Sequence, residues 1–345
     1  MYNKSLSYDD VLLAPQFSDI ESRVGIEIGA SLDDNLKFDL PIIASPMDTV
    51  TEATMAQAVE NVGGVGVVHR YTTIDEQVEM VRSTTQNEHR VGAAVGVTGD
   101  FLERAEELVA TGASFLCVDI AHGHHILMRQ ALNTLRRSLG DDVHLMAGNV
   151  ATLEGISAVA QWGANSVRVG IGGGSICSTR IQTGHGLPTF SSILAASAAR
   201  DGLTRRGNDS IAIIADGGIR TSGDIVKALA AGADFVMLGS LLAGTKETPG
   251  EVIETATGRC KTYRGMASKD AQMDWRGKTS SLEGITTVVP YKGFVANVLR
   301  ELERGIRSGF SYSGARNLTE LREKAQFVVQ TGAGLRESST HILAR

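Results

Sequence analysis

The segment GIGGGSICSTR (170–180) combines a glycine-rich turn with one cysteine and several hydroxyl side chains. Glycine adopts the positive φ angles that let successive backbone N–H groups converge on an anion, although such a turn is also typical of a flexible loop. Cys177 lies within the turn, where N–H dipoles stabilise a thiolate, and a thiolate is a nucleophile. We therefore predict that Cys177 is the catalytic nucleophile. Cys117, inside the apolar run FLCVDI (115–120), is predicted to be core packing.

A second candidate site lies in IADGGIRTSGDIVKALAAGADFVMLGS (214–240), which contains two glycine-containing strand ends. Each opens into a predicted helix N-terminus, which is how phosphate sites are commonly built in barrels of alternating strands and helices. Asp216, at the end of its apolar run, is suited to hold ribose hydroxyl groups. A tight turn with a helix cap would give the same pattern, and flavin mononucleotide enzymes use a similar arrangement. The pattern therefore predicts a phosphate site without specifying the nucleotide.

The polar, glycine-bounded segment YRGMASKDAQMDWRG (263–277) leads to Glu283 and then to VVPYKG (288–293). It would be a plain surface connection in many proteins. Because Tyr263, Met266 and Glu283 are spaced along a segment next to the predicted barrel mouth, we interpret it as a cover over a bound base.

Other polar residues at the ends of apolar runs are weaker candidates. Asp48 fits a helix cap as well as a ligand contact, and His69 is more typical of a core histidine. Asp119 and Asn149 are expected to point into the barrel mouth and orient a second ligand. The histidines of AHGHH (121–125) have no carboxylate partner at metal-ligand spacing, so we predict no metal site there.

Eight short apolar runs are expected to position these side chains. They are LPIIAS (40–45), VGVVH (65–69), VGAAVGV (91–97), FLCVDI (115–120), HLMAGNV (144–150), SVRVGI (166–171), IAIIADG (211–217) and FVMLGS (235–240). Helix-like stretches between them often end in glycine, as helix C-caps do. Continuous apolar strands are typical of a parallel sheet covered by helices. Eight strand–helix units predict an α/β fold, one closed (β/α)₈ TIM barrel, in which chemistry occurs just after the C-terminal ends of the strands.

We expect residues 1–345 to form this one barrel domain, without an internal linker. The segment after the eighth run lacks the barrel pattern. Residues 260–293 are predicted to be an active-site flap, with a loop over 260–284. Residues 294–345 are predicted to be C-terminal helices and a tail, with one helix over 294–309 and another, with a polar terminus, over 317–345.

The net charge and composition of the sequence limit the classes of molecule that the protein is expected to bind. The 345 residues carry a formal net charge of −6, which argues against a nucleic-acid partner. The sequence contains no apolar run long enough to cross a bilayer and no signal-peptide core at its start, so we expect no membrane partner. The cysteines are few, widely spaced and odd in number, which is typical of thiols in a reducing compartment. We expect a cytoplasmic protein.

Several of these segments together resemble the family of inosine-monophosphate (IMP) dehydrogenases and guanosine-monophosphate (GMP) reductases over essentially the whole chain. The stretches that carry the resemblance are YDDVLL (8–13), SPMDTVTE (45–52), GNVAT (148–152), GIGGGSICSTR, IADGGIR, MLGSLLAGT (237–245), YRGM and VPYKG. The resemblance implies a (β/α)₈ barrel, usually a homotetramer, whose loop cysteine attacks carbon 2 of a purine nucleotide. The ligand is then a small-molecule purine nucleotide.

The resemblance also implies roles for particular residues. The phosphate is expected to contact Ser175, Gly218, Gly239, Ser240 and Tyr263. Asp216 is expected to hold the ribose, and the base to contact Ser45, Met47, Met266 and Glu283. Gly265 is also expected to bind the substrate. The nicotinamide cofactor is expected beside Asp119, Ala121, His122 and Asn149. The carbonyl groups of Gly172, Gly174 and Cys177 would help bind a monovalent cation, K⁺, where the dehydrogenases have one.

The direction of the reaction depends on the flap. Dehydrogenases hydrolyse the covalent intermediate with an Arg-Tyr pair on a long mobile flap, and this chain has no Arg-Tyr there; Trp275-Arg276 is the nearest substitute. A reductase needs only to protonate the leaving amine, a role suited to Thr179 with Glu283. The short segment between Met266 and Glu283 also favours a reductase.

Other features resemble the dehydrogenases, namely SPMDTVTE, the AHG at 121–123 and the ending GAGLRESSTHI. Arg168 stands where a Lys is common, and Ser178 where Thr is usual. The regulatory cystathionine-synthase-like pair often inserted after the second strand is missing. We predict a GMP reductase that uses NADPH, and the alternative is an IMP dehydrogenase that uses NAD. A flavin mononucleotide oxidoreductase and a nucleotide-binding paralogue without turnover are further alternatives.

Overall fold

The computed structural model describes residues 4–205, 211–256, 258–338 and 340. Near the N-terminus it contains 3₁₀ turns at Tyr8–Asp10 and Arg23–Gly25 and the short strands β1 (Val11–Leu13), β2 (Ala30–Ser31) and β3 (Lys37–Phe38). Eight parallel strands then close into a barrel in the order in which they occur in the chain. They are β4 (Ile42–Ala44), β5 (Val65–Val68), β6 (Val91–Val95), β7 (Phe115–Asp119), β8 (Leu145–Val150), β9 (Ser166–Val169), β10 (Ala212–Asp216) and β11 (Phe235–Leu238). The predicted TIM barrel is confirmed, with each strand inside its predicted apolar run.

Helices cover the outside of the barrel. They are α1 (Ala53–Glu60), α2 (Ile74–Thr85), α3 (Phe101–Ala110), α4 (Ile126–Leu139), α5 (Leu153–Gln161), α7 (Thr189–Thr204) and α8 (Ser222–Ala230). The short helix α6 (Thr179–Thr183) follows the glycine-rich loop after β9 and has no buried residue. Their start points follow from capping: Thr73, Thr152 and Thr221 each accept a hydrogen bond from a backbone N–H in the first turn. Successive side chains of a strand point to opposite faces of the sheet, so they pack alternately into the barrel interior and against this layer of helices.

Apolar side chains from the barrel strands and the β2–β3 hairpin fill the lower part of the barrel interior. Cys117 is fully buried there among residues such as Phe115 and Met146, which confirms that it is core packing. Phe38, from the β2–β3 hairpin, closes the lower end by packing edge-on against Phe235 with ring centroids 6.0 Å apart. The upper end, at the strands' C-termini, stays open and polar.

The segment that follows β11 is more ordered than predicted. Strands β12 (Ile253–Thr255), β13 (Gly258–Arg264) and β14 (Thr286–Pro290) form a three-stranded antiparallel sheet, and helix α9 (Lys269–Arg276) lies between β13 and β14. The predicted loop over 260–284 is therefore wrong. Strand β13 alternates polar and apolar residues only weakly, so its pairing with β14 was hidden in the sequence. Ser268 caps α9 by accepting a hydrogen bond from the Ala271 N–H.

The C-terminal region completes the fold. Helix α10 (Val295–Tyr312) closes the ring of barrel helices next to α1 and α8, which confirms the predicted helix there with a longer C-terminal end. The single helix predicted over 317–345 is wrong. The structure has α11 (Leu318–Lys324), β15 (Phe327–Val329) and α12 (Gly332–Glu337), and β15 pairs antiparallel with β1. Residues 339 and 341–345 of that predicted helix lie outside the described residues.

Candidate active site

A cavity of about 530 Å³ lies at the C-terminal ends of the barrel strands, between them and the flap. Eighteen of the predicted site residues line it: Ser45, Met47, Asp119, Ala121, Asn149, Gly172, Gly174, Ser175, Cys177, Thr179, Asp216, Gly218, Gly239, Ser240, Tyr263, Gly265, Met266 and Glu283. His122 is not among the lining residues. Its side chain is exposed and its ring lies 6.5 Å from that of His124.

Cys177, Thr179 and Glu283 form a continuous hydrogen-bonded chain in this cavity. The Cys177 thiol donates to Thr179 Oγ1 at 3.1 Å, and the Thr179 hydroxyl donates to Glu283 Oε2 at 2.7 Å. Backbone hydrogen bonds hold the two segments together, from Ser178 N to Glu283 O at 2.9 Å and from Ile285 N to Ile176 O at 3.0 Å. The arrangement can carry a proton between the sulfur and the carboxylate.

Glycines shape one wall of the cavity. Gly217 and Gly218 have φ angles of 91° and 80°, which favour glycine, and a Cβ on Gly217 would lie 3.0 Å from the carbonyl carbon of Gly173. A Cβ on Gly239 would lie 2.9 Å from the Tyr263 hydroxyl and 3.2 Å from Ser45 Oγ. The glycines therefore let backbone N–H groups and hydroxyl groups approach the same space, as a phosphate group requires.

Tyr263 contributes a protonated hydroxyl to this wall. Burial raises the pKa of Tyr263 to about 12, although a hydrogen bond with Ser175 acts in the opposite direction. Lys292 fixes the neighbouring loop by donating to Ser240 O at 2.8 Å and to Leu241 O at 3.0 Å. The wall is thus rigid and rich in hydrogen-bond donors.

The opposite wall contains charged groups that alternate in sign. Arg168 donates to Asp119 Oδ1 at 2.8 Å and to Asp216 Oδ2 at 3.0 Å, and Asn149 donates to Asp216 Oδ2 at 2.7 Å. Arg70 donates to Asp119 Oδ2 at 3.3 Å. Burial opposes ionisation of Asp119, but Arg168 and Arg70 outweigh it and hold the pKa of Asp119 below its ordinary value. Asp119 is therefore present as a carboxylate, and hydrogen bonds fix the orientation of both aspartate side chains.

Asp48 does not cap a helix and does not line the cavity. Its Oδ2 accepts two hydrogen bonds from Arg264, at 2.8 Å and 2.6 Å, and Arg264 also binds Asp274 of α9 at 2.5 Å. Its backbone N–H faces Met266 Sδ at 3.3 Å. The N-cap of the helix that follows, α1, is Glu52, so the helix-cap alternative for Asp48 is wrong; its Arg264 contacts connect the flap to the barrel.

The outer end of the flap rests on the loop after β5. Trp275 of α9 stacks on Tyr71, with ring centroids 6.2 Å apart and an interplanar angle of 21°. The guanidinium of Arg70 lies 5.4 Å from the centroid of the Tyr71 ring, and that of Arg276 lies 5.9 Å from it. Arg276 is therefore oriented towards Tyr71 and does not line the cavity.

His69 is a satisfied core histidine, as predicted. It is 3% exposed, its Nε2 lies 3.2 Å from Glu52 Oε1, and its Nδ1 accepts a hydrogen bond from the Tyr71 N–H at 3.2 Å.

Sequence reasoning missed several residues of the cavity wall. Arg70, Tyr71 and Arg168 line it, as does the N-terminal Tyr8, which packs against Phe190. Arg70 and Tyr71 directly follow His69 at a strand end, so their position was a usable signal. Arg168 is inside an apolar run, where a buried charge requires a partner that the sequence alone does not identify.

Comparison with known proteins decides which family has this arrangement. The family model described as "IMP dehydrogenase / GMP reductase domain" matches residues 5–341. The chain belongs to the IMP dehydrogenase/GMP reductase family. It is thus an NAD(P)-dependent oxidoreductase of a family that acts on purine nucleotides.

Relatives in the family carry both activities. The chain is 33% identical to an inosine-5'-monophosphate dehydrogenase of Nitrosopumilus maritimus, covering 99% of this chain and 98% of that protein. It is 31% identical to a GMP reductase of Leishmania major, with 99% and 98% covered. Both alignments are longer than this chain, at 479 and 488 positions, so both relatives carry residues that this chain lacks.

A solved structure matches the whole barrel. The crystal structure of a GMP reductase from Trypanosoma brucei in complex with guanosine 5'-monophosphate has a TM-score of 0.92 with this chain, at 32% sequence identity. The match covers 99% of this chain and 98% of that chain. The family and fold predicted from the sequence are therefore confirmed.

Proposed function

We propose that the protein is a GMP reductase, which converts GMP, NADPH and one proton to IMP, ammonia and NADP. The observation that carries this proposal is the hydrogen-bonded chain from Cys177 through Thr179 to Glu283. It joins a nucleophile to a proton carrier and thus supplies what displacement of an amine requires.

The steps of the proposed reaction follow from these two hydrogen bonds. The Cys177 thiol proton passes through Thr179 to Glu283, and the thiolate forms a bond to carbon 2 of GMP. The bond from carbon 2 to the exocyclic nitrogen breaks, and Glu283 returns the proton through Thr179 to the leaving amine, which departs as ammonia. NADPH supplies the hydride that replaces sulfur on carbon 2. The thiolate released in that step takes a proton from solvent, so atoms and charges balance.

The walls of the cavity suit the parts of GMP. We assign the phosphate to the donor-rich wall formed by Ser175, Gly218, Gly239, Ser240 and Tyr263, and the base to Ser45, Met47, Gly265, Met266 and Glu283. The ribose is assigned to Asp216. Its Oδ2 already accepts two hydrogen bonds, while its Oδ1 accepts none from the described residues and is available to a sugar hydroxyl.

The flap favours the reductase direction. Between Gly265 and Gly284, the cavity is lined by Gly265, Met266, Ala267, Glu283 and Gly284. Trp275 and Arg276 are held against Tyr71. Because the Arg264 contacts also tie the flap to the barrel, the flap brings no guanidinium to Cys177 that would activate water for hydrolysis.

The second candidate is IMP dehydrogenase, which oxidises IMP with NAD and water to xanthosine monophosphate (XMP). One observation favours it: Arg276 and Tyr71, separated in sequence, lie together in space with 5.9 Å between the guanidinium and the ring. If this pair activates water, Arg276→Ala will abolish IMP oxidation. In a reductase the same substitution will mainly weaken ligand binding.

The cofactor and cation remain proposals. We assign NADPH to the cofactor side of the cavity, defined by Asp119, Ala121 and Asn149, with NAD as the cofactor of the alternative. His122 lies outside the cavity wall and would contact only a cofactor that extends beyond it. Carbonyl oxygens suit K⁺ as a hard cation.

The fit of the cation site is partial. The Gly174 carbonyl accepts the Cys177 N–H at 3.1 Å, whereas the carbonyls of Gly172 and Cys177 accept no hydrogen bond from the described residues. These three carbonyls alone would leave a K⁺ ion under-coordinated.

We propose from the family resemblance that the protein is a homotetramer. Size-exclusion chromatography with light scattering tests this oligomeric state. None of the described helices is long and apolar enough to cross a membrane.

Product analysis tests the proposed function. Incubation with GMP and NADPH is expected to release ammonia, IMP and NADP in equal amounts, measured enzymatically and by ion-exchange chromatography. The Cys177→Ala variant is the matched control for non-enzymatic loss of NADPH. Consumption of NADPH without ammonia, or no reaction with GMP while IMP and NAD give XMP, would contradict the proposal.

A further inference from the structure

Arg168 lies between the two sides of the cavity. It belongs to β9, and its side chain is 8% exposed. One terminal nitrogen donates to Asp119 on the cofactor side, and the other donates to Asp216, to which we assign the ribose. The first of these nitrogens also lies 3.5 Å from Cys117 Sγ. A single buried guanidinium thus connects two carboxylates that face different ligands.

The position of this guanidinium depends on both carboxylates. Arg168 Nε has no hydrogen-bond partner among the described residues, so the terminal nitrogens provide all of its anchoring. Burial alone would lower the pKa of Arg168, but Cys117, Asp216 and Asp119 outweigh that effect and the group stays charged. A buried charge that loses one of its partners is strongly unfavourable and moves towards the other.

The carboxylates depend on Arg168 in turn. Asp216 Oδ2 accepts from Arg168 and from Asn149, and this leaves Asp216 Oδ1 free on the nucleotide side. Asp119 uses one oxygen for Arg168 and the other for Arg70. Any shift of Arg168 towards or away from Asp119 therefore changes the orientation of the Asp216 oxygen that is free for the ribose.

We propose that Arg168 is a positioning residue that couples the nucleotide side of the cavity to the cofactor side. The inference rests on the proposed function for the assignment of Asp216 to the ribose and of Asp119 to the cofactor. Because Arg168 donates to both carboxylates, we expect a change at Asp119 to alter the affinity for nucleotide. Asp119 itself is not assigned to contact the nucleotide. A loss of nucleotide affinity in an Asp119 variant would therefore come from coupling through Arg168 and not from a lost contact with the nucleotide.

A double-mutant cycle measures the coupling. Dissociation constants for GMP and for IMP are determined by calorimetric titration without cofactor for the wild type, Asp119→Asn, Arg168→Met and the double variant. We expect Asp119→Asn to weaken nucleotide binding about fivefold or more, the usual lower range of such coupling. We expect the double variant to bind no more weakly than Arg168→Met alone, because Asp119 acts on the nucleotide through Arg168.

Two further variants separate positioning from general stability. Arg168→Lys keeps a cation near both carboxylates, so we expect it to recover most of the nucleotide affinity that is lost in Arg168→Met. If Arg168→Met does not fold, Arg168→Lys takes its place in the double-mutant cycle. Arg200→Met removes a comparable partner of Asp234, which precedes β11 at the other end of the barrel, and is expected to leave nucleotide affinity unchanged.

Two results would overturn the coupling. One is an Asp119→Asn variant with unchanged nucleotide affinity, and the other is a double variant whose loss is the product of the two single losses. Since binding is measured without turnover and with both nucleotides, the cycle gives its answer whichever reaction the enzyme runs. A wild type that binds GMP without reducing it would contradict the proposed function alone.

Discussion

The hydroxyl group of Thr179 donates a 2.7 Å hydrogen bond to Glu283, a residue 104 positions further along the chain. Thr179 begins the short helix after the glycine-rich loop, whereas Glu283 belongs to the flap just before β14. The flap therefore does more than cover the cavity, because it supplies the carboxylate to which the thiol is connected through Thr179.

We predict that Thr179→Val and Glu283→Gln each reduce kcat with GMP and NADPH by about 10²- to 10⁴-fold, the usual value of general acid–base help. Each substitution removes one link in the path of the proton, while the phosphate contacts remain. Steady-state kinetics measure kcat, and GMP titration measures binding. Thr183→Val is the matched control, since that hydroxyl donates only to the Thr179 carbonyl. Equal losses in all three variants would contradict the proton path.

Cys177→Ala is expected to abolish turnover and to leave GMP affinity within about 1 kcal/mol of the wild type, because one thiol contact contributes little to binding. The rate loss is large because a thiolate is a much stronger nucleophile than the Thr179 hydroxyl or the Glu283 carboxylate to which Cys177 is connected.

Cys117→Ala is the control for thiol removal, and it should retain most activity because Cys117 is buried in the barrel interior and burial raises its pKa to about 11. A Cys177→Ala enzyme with a tenth of the wild-type activity would eliminate covalent catalysis.

Asp216→Ala should weaken GMP binding by about 1.5–3 kcal/mol, the usual contribution of hydrogen bonds to a charged group. The substitution removes the oxygen assigned to the ribose and also one partner of Arg168. Calorimetric titration measures the loss, and a melting curve checks that the barrel remains folded. An unchanged dissociation constant would mean that Asp216 serves only to hold Arg168 and Asn149.

The sequence was sufficient to predict the barrel strands and most of the residues that line the cavity, because apolar runs and the polar residues at their ends are local patterns. The flap was predicted less well. Strand β13 pairs with β14 across 21 intervening residues, and β15 pairs with β1 near the other end of the chain. Such pairings depend on long-range contacts that no local pattern specifies.

The buried charge network shows the same limit. Asp119, Asp216 and Asn149 lie at the C-terminal ends of strands and were identified, whereas Arg168 lies inside an apolar strand. Its role becomes visible only when the barrel closes and brings both carboxylates within 3.0 Å of its terminal nitrogens.

His144 at the lower end of the barrel predicts a pH dependence of stability. It is 3% exposed, and its ring nitrogens lie 2.6 Å from Asp33 Oδ2 and 2.8 Å from Ser166 Oγ. Burial lowers the pKa of His144 below its ordinary value of 6.5, although Asp33 opposes this. The unfolded chain therefore binds this proton at a higher pH than the folded protein does.

Stability contributed by this histidine is complete above pH 6.5 and declines as the pH falls below that value, with a slope of at most about 1.4 kcal/mol per pH unit. Urea unfolding from pH 7.5 to 5 measures the free energy of unfolding. His144→Gln should flatten the decline, whereas His185→Gln, an exposed histidine, should not. An equal slope in His144→Gln and the wild type would contradict this assignment.

The direction of the reaction can be measured by the absorbance of reduced nicotinamide at 340 nm. Initial rates are compared for GMP with NADPH and for IMP with NAD, in the same buffer near neutral pH and with K⁺ present. General-base catalysis typically raises a reaction rate by about 10²- to 10⁴-fold. Because the flap supplies no water-activating base, we expect the initial rate with GMP and NADPH to exceed that with IMP and NAD by more than about tenfold. Rapid oxidation of IMP that disappears in Arg276→Ala would contradict the account and identify the enzyme as an IMP dehydrogenase.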